Sequence, residues 1–270
     1  MNISLKEIWK HIRVYLFFIK NCVVAQLEFR FNFVTNILVE IGYTFAAALY
    51  GFVVYKSGVH FVGLPPQAIF LFVGTYILMN GVYVGLFLTN FMSISSYIRE
   101  GGLDFIITKP VSLQFMATLR YVNVAMPIPN VVAGLAMIVY AWNQLHIPIS
   151  MPTIGLYVLM MVCSVVLTYC VTLIPQIFTF WLINSSAVTE LSHAIWDFNN
   201  MPMTVYGKWI QRVGIFLFPL FIISNFPPMV LLQNLSALYI VWGGVAAILF
   251  LYLTRKLWLW GLKNYSSASS

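Results

Sequence analysis

Charge is scarce in this sequence. Asp, Glu, Lys and Arg make up only 8% of its residues, whereas 61% are hydrophobic and the mean hydropathy is +0.90. One soluble core cannot bury so much apolar surface, so the composition excludes an ordinary soluble domain. The 14 basic residues outnumber the 7 acidic ones, but they lie scattered at the ends of apolar segments instead of forming a nucleic-acid-binding patch. We therefore expect the chain to lie in a lipid bilayer and to bind no nucleic acid.

The sequence also lacks the motifs of nucleotide binding, metal binding and covalent catalysis. There is no G-x-x-x-x-G-K-[ST] loop, because the one Gly-Lys pair, Gly207-Lys208, is followed by Trp209. No H-E-x-x-H, G-x-S-x-G or C-x-x-C occurs. Of the three cysteines, Cys163 and Cys170 would stand about 10 Å apart on a helix, beyond disulfide reach. The sequence thus predicts no enzyme, no metal and no cofactor bound by this chain.

Long apolar segments predict the fold class, an all-α integral membrane protein formed by a single domain, residues 1–270. About 20 apolar residues span the hydrocarbon of a bilayer as a helix. Six predicted transmembrane helices follow from this length: 31–55, 68–92, 113–142, 153–183, 206–224 and 236–260. Residues 1–30 carry too much charge to cross and predict an interfacial helix. Residues 184–205 predict a polar cytoplasmic connection with an amphipathic helix that Met201-Pro202 ends.

Prolines mark two departures from straight helices. Pro127 and Pro129 fall inside the third predicted span, where they predict a kink that neighbouring helices tolerate. The fifth apolar segment is short, and Pro227-Pro228 follows it closely. We expect these two prolines to start a short re-entrant segment, 225–235, before the last helix.

The basic residues set the orientation of the predicted spans. With both termini on one side, Lys56 alone among the 14 basic residues falls on the other side. The positive-inside rule then places both termini and the loops 93–112 and 184–205 in the cytoplasm.

Two sets of ionisable residues are candidates for chemistry. Glu40 is the only charged residue of the first predicted span, and an ionisable residue at such depth suggests function. The alternative is a carboxyl group that is hydrogen-bonded to a neighbouring helix or reached by water. His193 and Asp197 are four residues apart and would share a helix face, as the acid-base pair of a membrane enzyme or as an ordinary solvated pair.

A short charged stretch, IREGGLDFIITKPVS at 98–112, interrupts the apolar segments. Gly101-Gly102 is expected to end the second span, and Asp104 to cap a short helix over 103–108 that stops at Lys109-Pro110. Either a soluble partner binds this loop or it is simply solvated.

Five stretches carry a resemblance to a known family: QLEFRFNF at 26–33, REGGLDFIITKPVS at 99–112, FNNMPMTVYGKWIQ at 198–211, FPPMVLL at 226–232 and YSSASS at 265–270. With them the chain resembles the permease subunits of ABC-2 type ABC transporters, the six-helix permeases of the bacterial plasma (inner) membrane. The resemblance implies two permease subunits, identical or paralogous, and two cytoplasmic ATPase subunits that bind ATP and Mg. It also implies a direction, which is usually export.

In that family the ATPase docks on the loop between the second and third spans, here the coupling loop 93–112 with its coupling helix. The resemblance implies that charged residues of this loop pair with the ATPase, while Leu103 and Phe105 fill its groove. The implied coupling residues are Arg99, Glu100, Gly101, Gly102, Leu103, Asp104, Phe105, Lys109 and Pro110. Aromatic- and Met-rich helices favour an amphipathic or hydrophobic substrate. The alternative is a secondary transporter or channel driven by an ion gradient, which would need Glu40.

Overall fold

The computed structural model describes residues 5–58, 65–182 and 185–265, and these ranges hold helices and no strand. The α-helices, in chain order, are α1 Leu5–Glu28, α2 Arg30–Lys56, α3 Ala68–Val82, α4 Leu88–Arg99, α5 Gly102–Ile107, α6 Leu113–Leu119, α7 Pro127–Gln144, α8 Met151–Ile177, α9 Ser185–Asp197, α10 Lys208–Arg212, α11 Leu220–Leu231 and α12 Ala237–Leu262. A π-helical turn, Tyr83–Phe87, joins α3 to α4, and a second, Val213–Leu217, follows α10. Residues 1–4 of the predicted interfacial helix and residues 266–270 of the YSSASS stretch lie outside the described ranges.

Four runs are long and apolar enough to cross a bilayer: Arg30–Lys56, Ala68–Arg99, Met151–Phe180 and Ala237–Leu262. The pair Lys208–Leu217 and Leu220–Leu231 is bent by 101° and adds a fifth if it forms one span. The all-helical, multi-pass class predicted from composition is therefore confirmed. The count of six spans stays a prediction.

The third predicted span, 113–142, is divided instead of kinked. Residues 120–126 separate α6 from α7 and form no regular helix. Pro127 is the first residue of α7, a position where the missing N–H of proline breaks no helical hydrogen bond. The expectation of a kink at Pro127 and Pro129 was wrong because these prolines begin a helix.

Helices α3 and α7 cross at two glycines. A Cβ atom placed on Gly134 would lie 2.8 Å from the carbonyl oxygen of Gly74 and 2.9 Å from the amide nitrogen of Leu78. One on Gly74 would lie 3.0 Å from the carbonyl oxygen of Gly134. Small residues let helix backbones approach closely, which is how helices gain packing energy in lipid. This crossing fixes α3 against α7.

The segment 184–205 begins with the amphipathic helix that its sequence predicted. Residue 184 lies outside the described ranges, and α9 ends at Asp197, a few residues before Met201-Pro202. This helix buries Val188, Ser192 and Trp196 at intervals of four. The Gln176 side chain of α8 donates to Ser192 at 2.9 Å, and the Trp196 ring stacks on Tyr83 at 4.7 Å. One face of α9 therefore packs against α8 and the α3–α4 run.

Pro227 and Pro228 lie inside α11 and do not begin it. The chain bends earlier, at Phe218-Pro219, directly after the second π-helical turn. The place predicted for the start of the re-entrant segment was therefore wrong, because the break in the helical path precedes these prolines.

Two buried polar residues hold α11 against the segment that follows α9. The Ser224 hydroxyl donates to the Asn199 carbonyl at 3.0 Å. The Asn225 side chain accepts from the Met203 amide at 2.7 Å. Backbone groups in irregular segments need such partners where water is excluded. The residues around 198–205 are thus part of the packed bundle.

Side chains from two helices hold the irregular backbone between α6 and α7. Asn90 donates to the Tyr121 carbonyl at 2.7 Å and accepts from the Tyr121 amide at 2.8 Å. Gln26 donates to the Val122 carbonyl at 2.6 Å and accepts from the Val124 amide at 2.9 Å. Each side chain satisfies one carbonyl and one amide that the helix break leaves unpaired. Asn90 and Gln26 thus make the break stable.

Replacing Asn90 by Leu should lower the free energy of unfolding by about 1–2 kcal/mol, because it leaves both backbone groups of Tyr121 without these partners. Tyr121 is itself exposed, so water replaces part of the lost bonding. Thermal unfolding of the purified protein in detergent measures the loss. Ser93→Ala is the matched control, since the Ser93 hydroxyl donates to the Thr89 carbonyl of its own helix. Equal melting of the two variants would contradict the bracing role of Asn90.

Candidate functional site

A left-handed glycine separates α4 from α5. Gly101 has φ of 71°, a conformation that glycine adopts without strain. The amide of Glu100 still donates to the Ser96 carbonyl at 2.8 Å, and the Gly101 carbonyl accepts from the Asp104 amide at 3.1 Å. The glycine pair ends one helix and starts the next, as the sequence indicated. Asp104 does not cap α5; it lies in the first turn after the Gly101 N-cap.

The residues of α5 divide sharply into buried and exposed. Leu103 is 0% exposed and Ile106 is 5% exposed, both within the main apolar core. Phe105 is 77% exposed and Ile107 is 53% exposed. Leu103 is therefore unavailable to a partner's groove, which corrects the expectation from the sequence. The apolar residue that is exposed beside Phe105 is Ile107, the last residue of α5, and not Leu103.

Exposed charged residues flank this apolar pair along the chain. They are Arg99, Glu100 and Lys109, with Pro110 beside them. The Lys10 side chain of α1 donates a hydrogen bond to the Pro110 carbonyl and so ties α1 to the end of the loop. The surface combines an apolar centre with a charged rim, which is the usual anatomy of a protein-binding surface.

Tyr265, which follows α12, anchors α5. The Tyr265 hydroxyl donates to an Asp104 carboxylate oxygen at 3.1 Å. Burial raises the pKa of Tyr265, and the neighbouring Asp104 carboxylate raises that pKa further. The raised pKa keeps the hydroxyl protonated well above neutral pH, so that it can donate this hydrogen bond. This contact joins the end of α12 to the short helix.

Glu40 lies in a buried cluster of amides. Its Oε1 atom accepts from Asn130 of α7 at 2.7 Å and from Asn80 of α3 at 3.4 Å. The Thr44 hydroxyl donates to Asn130 Oδ1 at 3.3 Å. The sequence left open whether Glu40 has a functional role or is hydrogen-bonded to a neighbouring helix. This geometry matches the second alternative. The cluster ties α2 to α3 and α7.

The same cluster reaches α9. Asn80 donates to Asn130 Oδ1 at 3.3 Å and accepts from the Trp196 indole nitrogen at 3.2 Å. Sequence reasoning missed Asn80 and Asn130, since a single amide in an apolar helix produces no periodic signal. The available signal was that Asn80 and Asn130 are polar residues within apolar segments, because a polar side chain in a membrane helix needs a hydrogen-bond partner.

His193 and Asp197 are not bonded to each other. Both side chains are exposed on α9, and no hydrogen bond joins them within the described part of the chain. The described residues also contain no group of three or more His, Cys, Asp or Glu able to hold a metal ion. Trp196, which lies between them in the sequence, is the buried residue that contacts another helix.

A comparison with known protein families identifies one that matches this chain. The family described as ABC-2 family transporter protein matches residues 16–269, nearly the whole chain. No curated protein and no solved structure matches the chain. The family predicted from the sequence, that of ABC-2 type permeases, is thereby confirmed. Because this match covers far more than half of its length, the chain belongs to the ABC-2 family of transporter proteins, and its apolar helices fit a membrane protein of that family.

Proposed function

We propose that this chain is the permease subunit of an ATP-driven exporter, and that a separate ATPase docks on α5. The observation that supports this most directly is the pair Phe105 and Ile107, exposed on a short helix that Leu103 and Ile106 hold in the core. Exposed apolar residues on a charged surface are typical binding anchors. The charged rim of Arg99, Glu100 and Lys109 guides the ATPase into register.

The contacts that hold α5 in the bundle can transmit a movement of the bound ATPase to the membrane helices. Leu103 and Ile106 fix its inner face, and the Tyr265–Asp104 hydrogen bond ties it to the end of α12. Gly101 joins it to α4 by a tight turn. A push on the outer face therefore displaces α4, α6 and α12 together, because packed side chains transmit force without compressing.

The proposed assembly takes its composition from the family. Two permease subunits, identical or paralogous, form the pathway, and two ATPase subunits bind ATP and Mg on the cytoplasmic side of a bacterial plasma membrane. The sequence of this chain contains no phosphate loop, so hydrolysis is assigned to the partner. The apolar, aromatic helices suit an amphipathic or hydrophobic substrate.

Replacing Phe105 by Ser should weaken binding of the ATPase at least tenfold, since an apolar anchor at an interface contributes about 2 kcal/mol or more. The measurement is ATPase binding to the permease in nanodiscs, together with ATP hydrolysis stimulated by the permease. Ile149→Ser is the matched control, because Ile149 is similarly exposed, at 80%, in the loop between α7 and α8. Full binding and full stimulation with Phe105→Ser would overturn the docking role.

The ion-gradient alternative predicts that an ion gradient, and not ATP hydrolysis, drives transport. Transport by the purified permease in vesicles, with a proton or sodium gradient and no ATPase, would support it. The bonding of Glu40 to Asn130 and Asn80 argues for a structural carboxyl group and ranks this alternative second. Absence of gradient-driven transport together with ATP-dependent transport in the full complex would support the exporter.

A further inference from the structure

A cleft of about 540 Å³ opens between α1, the start of α2, α4 and the irregular segment 120–126. We call it the Arg120 cleft. Phe18, Phe29 and Phe33 supply its apolar wall. The cleft is open at the surface, and its volume falls within the range of about 300–1,000 Å³ that is usual for small-molecule sites.

The polar wall of the Arg120 cleft favours an anion. Asn21, Asn32, Asn36 and Thr89 line it with Arg120, and none of its lining residues is Asp or Glu. The Arg120 guanidinium lies 5.4 Å from the ring centre of Tyr121 and has no carboxylate partner among the described residues. The three asparagine side chains likewise have no hydrogen-bond partner in the described ranges. One cation and three amides thus face the same space.

The position of the cleft along α2 matches the headgroup level of a bilayer. Arg30 begins both α2 and its apolar span, so Asn32, Phe33 and Asn36 occupy the first two turns. Arginine and amide groups at the end of a span meet phosphates and ester oxygens, while phenylalanine meets the acyl chains. Asparagines on an otherwise apolar helix avoid hydrocarbon by pointing into such a cleft.

We propose that the Arg120 cleft binds one anionic phospholipid. Its phosphate pairs with the Arg120 guanidinium in a charge-assisted contact, and the amides of Asn32 and Asn36 donate to phosphate or ester oxygens. Its acyl chains lie against Phe18 and Phe33. The phenylalanine wall selects a lipid over a free phosphate ion, since only a lipid fills both halves of the cleft. The bound lipid holds α1 and α2 against the α6–α7 break, where Gln26 already bonds to the Val122 carbonyl.

The test measures phosphatidylglycerol binding to the full-length protein in detergent, by thermal unfolding and by native mass spectrometry. Phosphatidylcholine and inorganic phosphate are the comparison ligands. Arg120→Gln should bind phosphatidylglycerol about tenfold more weakly, the usual effect of losing one charge-assisted contact. Arg30→Gln is the matched control, because it removes the same charge from the start of α2 but not from the cleft lining. It should keep wild-type binding.

Two further variants make the result specific. Arg120→Lys should keep the preference for phosphatidylglycerol, and Asn36→Leu should weaken it with Arg120 intact. The proposal is overturned if the wild type binds phosphatidylcholine equally well. It is also overturned if Arg120→Gln and Arg30→Gln lose binding equally, which shows diffuse surface charge, or if inorganic phosphate alone produces the same stabilisation. No ATPase takes part, so the outcome is independent of the proposed function.

Discussion

Replacing Gly134 by Leu should destabilise the folded protein severely, more than Asn130→Leu, Asn90→Leu or Phe105→Ser. The new Cβ would meet the carbonyl oxygen of Gly74 at 2.8 Å and the amide nitrogen of Leu78 at 2.9 Å. Both are backbone atoms of α3, so neither can rotate away. The helices must separate, and overpacking of this kind costs about 3 kcal/mol or more, a large part of a typical folding free energy.

The measurement is the yield of monodisperse protein and its melting temperature in detergent. Gly244→Leu is the matched control, because nothing lies within 4 Å of a Cβ at Gly244 in α12. It should be neutral or slightly stabilising, since Leu favours a helix over Gly by up to about 1 kcal/mol. A well-folded Gly134→Leu protein would show that α3 and α7 do not cross as closely as described.

Replacing Asn130 by Leu should be the second most damaging change, at about 2–3 kcal/mol of unfolding free energy. The variant removes the 2.7 Å donor of Glu40 and leaves a buried carboxyl oxygen with only the longer contact from Asn80. Leu still fills the space that Asn occupies, so the cost reflects hydrogen bonding more than cavity formation. Thermal unfolding and denaturant titration both measure it.

A double substitution separates the causes. Adding Glu40→Gln to Asn130→Leu should recover part of the loss, since an amide is less costly than a carboxylate to leave unpaired. Thr44→Val removes the hydroxyl that donates to Asn130 and does not contact Glu40. It should cost about 1 kcal/mol of unfolding free energy. No recovery in the double variant would show that Asn130 acts by packing alone.

The helix α5 shows how far local reasoning reaches at the candidate site. Gly101-Gly102 predicted the helix end, because glycine takes the φ of 71° at this turn without strain. Whether Leu103 or Ile107 faced outward depended on which side of α5 met the core, and Leu103 is the buried one. The apolar residues of a six-residue helix are compatible with either orientation, so sequence alone could not choose.

The segment 184–205 shows the same limit at the level of the fold. Its sequence predicted an amphipathic helix, but not the surface that this helix would meet. Val188, Ser192 and Trp196 form one buried face of α9. A periodic pattern locates an apolar face and cannot name its partner. Residues on α3 and α8, distant in sequence, decide that this face is buried in the bundle.

Composition alone determined that the chain lives in a membrane, since 61% hydrophobic residues leave no soluble alternative. Five short stretches carried the resemblance to the family, because each can be read along the chain without knowing which helices touch. The tertiary structure decided the break before Pro127, the bonding of Glu40 to Asn130, and the outward face of α5. Those features arise from contacts between residues that are far apart in the sequence, whose energies depend on packing and not on any local pattern.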